Sequence, residues 1–136
     1  MFRQFMHAKL HRCTVTRADL DYIGSISVDT DLLEAVGILP YEKVLVVDVD
    51  NGARFETYAI EAPAGSGTIG INGGAARLVQ TGDLVLIIAF AYVGQGETVK
   101  PKTAIIGRDN RIEAIIEDDV TIPGSPGSFI EGIRQN

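Results

Sequence analysis

Lys43-Val44-Leu45-Val46-Val47-Asp48-Val49-Asp50-Asn51-Gly52-Ala53-Arg54-Phe55-Glu56-Thr57-Tyr58-Ala59-Ile60 sets two β-like runs either side of an Asn-Gly pair. Both turn residues tolerate positive backbone angles, so the pair is a strong hairpin signal and predicts that the two runs pair. Working outward, 15 glycines and an apolar set dominated by valine and isoleucine favour short strands joined by tight turns. The fold is therefore expected to be mainly β, with strands over 6–14, 43–49, 54–60, 68–71, 83–91, 103–107 and 111–115. Asp29 or Thr30 can cap a short helix that Gly37 ends. Thr16-Arg17-Ala18-Asp19 predicts a capped helical turn. Another is expected after Asn72, through Gly73-Gly74-Ala75-Ala76-Arg77, where free amides at the start suit an anion.

The 136 residues suit one domain, 1–117, large enough to bury a core without disulfides. From 118 the pattern fades into acidic, Pro, Gly and Ser residues, so 118–136 is expected to be a flexible tail. Net charge is −6, from 12 basic and 18 acidic residues, with no basic cluster that would track phosphates; nucleic-acid binding is not expected. The longest apolar run, 84–93, falls short of the roughly 20 residues a membrane helix needs. The amino-terminal residues lack the continuous apolar core of a signal peptide. Cys13 is the single cysteine and fits a reducing compartment. A cytoplasmic protein without membrane attachment is expected. His7 and His11 invite a metal reading, but zinc sites need three or four ligands and no pattern completes one, so no metal is expected.

Chemistry is hinted at by one of four Gly-Ser pairs. Gly65-Ser66, Gly124-Ser125 and Gly127-Ser128 lie among Pro, Gly and Ala and read as turn or linker. Gly24-Ser25 has no such neighbours. Glycine leaves its carbonyl unshielded, and a serine hydroxyl held beside it can attack it. Strand alternation would put Phe5, His7, Lys9, His11 and Cys13 on one face of the first strand, and Arg54, Glu56 and Tyr58 together on another, opposite Thr57. Arg54 can fork onto a carboxylate and Tyr58 can pass a proton. The same residues also read as an exposed Arg-Glu pair beside a half-buried tyrosine.

In order along the chain stand Lys9-Leu10-His11-Arg12, then Val15-Thr16-Arg17-Ala18-Asp19-Leu20-Asp21-Tyr22-Ile23-Gly24-Ser25-Ile26, then Asp31-Leu32-Leu33-Glu34-Ala35-Val36-Gly37-Ile38-Leu39-Pro40. Asn51 through Ile60, Ile71-Asn72-Gly73-Gly74-Ala75-Ala76 and Gly82-Asp83 follow. At this order and spacing the chain, up to about Ile115, resembles the pyruvoyl-dependent aspartate 1-decarboxylases. It departs from them at Gly74, where alanine is usual, at Val47, at Cys13 and in a long carboxyl tail.

The resemblance implies a double-psi β-barrel, a homotetramer, and a precursor that cuts itself between Gly24 and Ser25 into fragments 1–24 and 25–136. Ser25 would become a covalent pyruvoyl group that forms a Schiff base with L-aspartate. Loss of carbon dioxide would give β-alanine for pantothenate and coenzyme A synthesis. Tyr58 is the implied proton donor. Thr57, Arg54, Lys9, Asn72, Gly73, Gly74 and Ala75 are implied to bind substrate, with His11, Tyr22 and Ala76 near the pocket. A silent barrel that only binds an acidic metabolite, an enzyme preferring glutamate, and a maturation partner all stay open, since one methylene shifts discrimination by only about 1–3 kcal/mol.

Overall fold

Valine-rich β4 and aromatic-containing β5 pair antiparallel across the Asn51-Gly52 turn, as expected. A computed structural model describes residues 1–124, and its strands in chain order are β1 (Phe2–Thr14), β2 (Arg17–Asp19), β3 (Ile26–Asp29), β4 (Lys43–Asp48), β5 (Arg54–Ala62) and β6 (Ile69–Asn72). They continue with β7 (Leu84–Gly94), β8 (Thr98–Val99), β9 (Lys102–Ile106), β10 (Ile112–Glu117) and β11 (Val120–Thr121). The last regular pair before the turn is Val47 with Arg54. Asp48 N–H to Ala53 O at 2.8 Å then closes a loop in which only Gly52, at φ 76°, takes a positive angle. Asn51 instead spends its side chain holding Ala53 N–H and Leu78 O.

Nine strands form one mixed sheet in the order β10-β9-β1-β7-β4-β5-β3-β6-β2, open at both ends in its hydrogen bonding. The mainly β expectation holds. One face of each central strand supplies the core, with Ala8 and Leu10 of β1, Val44 and Val46 of β4, and Val85, Ile87 and Ala89 of β7 buried together. Helix α1 (Thr30–Val36) packs Leu32, Leu33 and Val36 into it. Asp29 caps α1 by accepting Asp31 N–H, and Gly37 ends it at φ 82°. The same Asp29 carboxylate accepts Gly65 and Gly67 N–H, which fixes the Gly65-Ser66 turn.

Two local expectations are corrected. Residues 17–19 are not a helical turn but strand β2, parallel to β6. The Thr16 hydroxyl, expected to cap that turn, both donates to Ile69 O and accepts Ile69 N–H across the chain. The single alternating face of β1 is also broken. Register shifts fall between Met6 and Ala8 and between Leu10 and Cys13, the second around Arg12 at φ 67°. These bulges turn Cys13 into the core, away from Lys9 and His11, and burial pushes its thiol up to about 12. Residues 73–78, by contrast, form the short 3-10 helix expected after Asn72.

Of the tail expected over 118–136, the described part is held: β11 pairs with β8, and Ile122, 4% exposed, joins Val93, Val99 and Phe5 in a second apolar cluster. Residues 125–136, with Ser125 and the Gly127-Ser128 pair, lie outside the described residues. Among the described residues no helix is long and apolar enough to cross a membrane.

Candidate active site

Strand β3 begins one residue after Ser25 and lies between β5, to which it runs parallel, and β6, to which it runs antiparallel. Its first residue, Ile26, sits level with Ala59 on one side and Ile71 on the other. On the β6 side the contact continues back from Ile26, with Asn72 N–H donating to Ser25 O and Gly73 lying against Gly24; on the β5 side the ladder ends at Ile26 with Ala59, the residue after Thr57 and Tyr58. Residues more than thirty positions apart in sequence are thus brought to one place by sheet topology. No register shift interrupts β4 against β5, so Thr57 and Tyr58 keep opposite faces.

Ser25 is 3% exposed and stands at φ 94°, a backbone angle that a side chain with Cβ rarely takes. Its carbonyl accepts Asn72 N–H at 3.0 Å. The Asn72 side chain, itself 1% exposed, donates Nδ2–H to Ser25 Oγ at 3.1 Å and to Ser27 Oγ at 3.0 Å, while its Oδ1 is buried without a partner. Because this amide is engaged with the serines, it leaves the start of the 3-10 helix without a side-chain cap. Gly73, at φ 72°, lies so close that a Cβ there would stand 3.0 Å from both Cα and N of Gly24. Only glycine permits that approach. Gly74, one residue on, faces open space.

A family model described as aspartate decarboxylase matches residues 1–113. The chain belongs to the aspartate decarboxylase family. The family's fold is the double-psi β-barrel, and the mixed sheet described above is this chain's version of it. Relatives named aspartate 1-decarboxylase include one from Moorella thermoacetica, 56% identical over 117 residues, covering 85% of this chain and 91% of the relative. Another, from Geobacillus sp. (strain WCH70), is 50% identical over 121 residues, covering 88% and 95%. A third, from Bacillus licheniformis, is 50% identical over 118 residues, covering 85% and 93%.

Within the chain, the site residues expected from the family resemblance fall into two groups. Gly24, Ser25, Asn72 and Gly73 meet as described, Thr57 and Tyr58 lead along β5 to Ala59 beside Ile26, and Gly74, Ala75 and Ala76 continue from Gly73 in the 3-10 helix. Lys9 and Arg54 do not join Ser25. Lys9 lies level with Ile88, which lies level with Leu45, which lies level with Glu56. Three interstrand steps of about 4.8 Å therefore put Lys9 roughly 14 Å along the sheet from β5. Arg54 shares the Tyr58 face but four residues away, about 13 Å along the strand. His11 stays beside Lys9, where burial, Lys9 and Arg12 together lower its pKa. Tyr22 is 49% exposed, and it is its carbonyl rather than its ring that meets Gly73.

Two neighbours escaped the sequence reading. Ser27 shares the Asn72 clamp, and its place two residues after Ser25, on the same strand face, was the available signal. Tyr41 stacks on Tyr58 with ring centroids 6.1 Å apart and planes 15° from parallel, a contact made by the loop before β4 that no local pattern announces. A hollow of about 290 Å³ bordered by Lys43, Glu56, Phe90 and Tyr92 opens on the sheet but includes none of the residues around Ser25.

Proposed function

We propose that the chain cuts itself between Gly24 and Ser25 and, with a pyruvoyl group made from Ser25, decarboxylates L-aspartate to β-alanine and carbon dioxide for pantothenate and coenzyme A synthesis. The observation that carries this reading is the φ of 94° at Ser25. With substituents on Cα roughly 120° apart, this angle turns Cβ to within about 30° of eclipsing the Gly24 carbonyl carbon. At an ordinary φ near about −60° the two are anti and the hydroxyl cannot reach. In Ser25 the Cβ is already on the side of that carbonyl from which a χ1 rotation brings Oγ into a five-membered approach.

As Oγ bonds to the Gly24 carbonyl carbon, the Gly24–Ser25 C–N bond breaks and the serine proton ends on the freed nitrogen. Loss of the Ser25 α-proton then expels the Gly24 carboxylate, and hydrolysis releases ammonia and leaves a ketone heading fragment 25–136. That ketone supplies the electron sink that decarboxylation needs and that no standard side chain offers. The surroundings fit such a group: the position is buried, and Asn72 Nδ2 is a donor within reach of an oxygen there.

In the same reading, Tyr58 delivers a proton to the former α-carbon and Thr57 assists cleavage and touches substrate. Arg54 and Lys9 hold carboxylates, and the amides of Asn72, Gly73, Gly74 and Ala75 donate to substrate. Lys9, His11 and Arg54 reach substrate from a neighbouring copy, which makes the working form a homo-oligomer, a tetramer. Their distance along the sheet from Ser25 supports this. The buried, unpaired Cys13 thiol suits a cytoplasmic setting.

Intact mass of the purified chain is expected to show fragments 1–24 and 25–136, the larger blocked to amino-terminal sequencing. Ser25→Ala should remain whole and inactive. Incubation with L-aspartate and with L-glutamate, read as carbon dioxide release, fixes the substrate. An uncut chain with full activity would overturn the maturation step, and aspartate binding without carbon dioxide release would overturn the enzyme.

A further inference from the structure

We propose that Asp48, Asp50 and Asp83 form a binding site for a hard divalent cation, completed by water, at the end of the sheet where the β4–β5 loop meets the turn before β7. One carboxylate oxygen from each of the three lies within 4.8 Å of the others. In each residue one oxygen is tied to backbone. Asp48 Oδ1 accepts Asp50 and Asn51 N–H at 2.8 and 3.1 Å, Asp50 Oδ2 accepts Leu84 N–H at 2.7 Å, and Asp83 Oδ2 accepts Gln80 N–H at 3.0 Å. These bonds fix the three carboxylates in place.

The observation that points to a ligand is Asp48 itself. Its side chain is fully buried, and its second oxygen, Oδ2, has no hydrogen-bond partner. A carboxylate oxygen removed from water without a partner is costly, and two more carboxylates beside it raise that cost. Among the described residues no lysine, arginine or histidine is paired with any of the three. A cation entering past exposed Asp50 would satisfy Asp48 and offset the repulsion together.

Ligand chemistry selects the kind of ion. An all-oxygen, triply acidic set suits calcium, magnesium or manganese and offers nothing to soft metals. With Ca–O distances of about 2.3–2.6 Å, one calcium-sized ion reaches oxygens up to about 5 Å apart, so all three can share it. The ion would join ligands 33 or 35 residues apart at the end of the β4–β7 ladder, where Asp48 lies level with Val85 and Val49 N–H donates to Leu84 O. Beside it, Asn51 Nδ2–H to Leu78 O at 2.8 Å reaches the 3-10 helix that follows Asn72. The sequence reading weighed only histidine and cysteine ligands and so passed over this cluster.

The test is calorimetric titration of chelator-treated full chain with Ca2+, Mg2+ and Mn2+ in turn, paired with thermal melts in chelator and in each ion. One site per chain is expected, with Kd for the best ion on the order of 10−5 to 10−3 M and a higher Tm in its presence. Asp50→Asn and Asp83→Asn keep an oxygen for Leu84 and Gln80 N–H, so their melts in chelator should stay near the parent's. Their affinities should fall at least about tenfold with the lost charge. Absence of saturable binding by all three ions up to about 10 mM would overturn the site, leaving a proton shared between Asp48 and Asp83 as the way the charge is relieved. Binding unchanged in both variants would overturn it equally.

Discussion

Gly73→Ala isolates the close approach on which the cleavage geometry depends. The added Cβ would stand 3.0 Å from Gly24 Cα and N and 3.2 Å from Tyr22 O. Carbon atoms pack best at about 3.5–4.0 Å, so the overlap is about 0.5–1 Å against backbone that has no rotamer to change. A Cβ at the φ of 72° found there adds about 1–2 kcal/mol, and overpacking adds about 1–3 kcal/mol. The chain can relieve the overlap by moving Gly24 and Ser25 off β6, at the cost of loosening Asn72 N–H from Ser25 O and letting the Ser25 backbone unwind. A misplacement near 1 Å is worth about 100-fold in rate. Self-cleavage, followed as intact mass over time, should therefore slow by about that factor, while urea melts show a loss of roughly 2–5 kcal/mol. Gly74→Ala is the control. Its Cβ meets nothing within 4 Å and its φ is not positive, so it should cleave at the parental rate and gain about 0.4–1 kcal/mol. Parental cleavage by Gly73→Ala would refute the reasoning.

Tyr58→Phe should cleave normally, yet turn over aspartate about 100- to 10,000-fold more slowly, as loss of a general acid implies; equal steady-state turnover by variant and parent would remove Tyr58 as proton donor. Asn72→Ala deletes the donor shared by Ser25 and Ser27, and is expected to cost about 1–3 kcal/mol in a denaturant melt and to slow cleavage. Unaltered cleavage kinetics would mean the clamp does not hold the nucleophile. Burial, Lys9 and Arg12 lower His11, so as pH falls the unfolded chain takes up this proton before the folded one does. Stability from His11 is then full above about pH 6.5 and declines below it; His11→Gln should flatten that arm of the melting curve, and an NMR midpoint above 6.5 would contradict the shift.

What could be read from the sequence follows the range of the interactions involved. The Asn51-Gly52 hairpin and the Asp29-capped helix were legible because each is decided within a few residues. Strand β2 was misread because the Thr16 hydroxyl chooses a partner 53 positions away over the local cap it resembles. Strand β3 was passed over because the alternation of Ile26-Ser27-Val28-Asp29 lasts only four residues, and its polar residues are buried along with its apolar ones. At the candidate site, the residue types were visible through family resemblance, but their meeting was not. That Gly24 and Ser25 lie between β5 and β6, and that Lys9 and Arg54 lie far along the sheet, are facts of strand order, which no periodicity encodes.

The torsion at Ser25 has a further consequence for the direction of events. A φ angle is defined through the peptide bond on the residue's amino side, so cutting that bond abolishes the angle rather than relaxing it. Whatever the fold invests in holding it, about 1–3 kcal/mol for such a residue, is released at that step and must be supplied again to rejoin the ends. At roughly 5- to 150-fold in the equilibrium between cut and uncut chain, this acts as a single-use ratchet. In the proposed maturation folding loads the trigger, and the elimination that follows the acyl shift removes the means of resetting it.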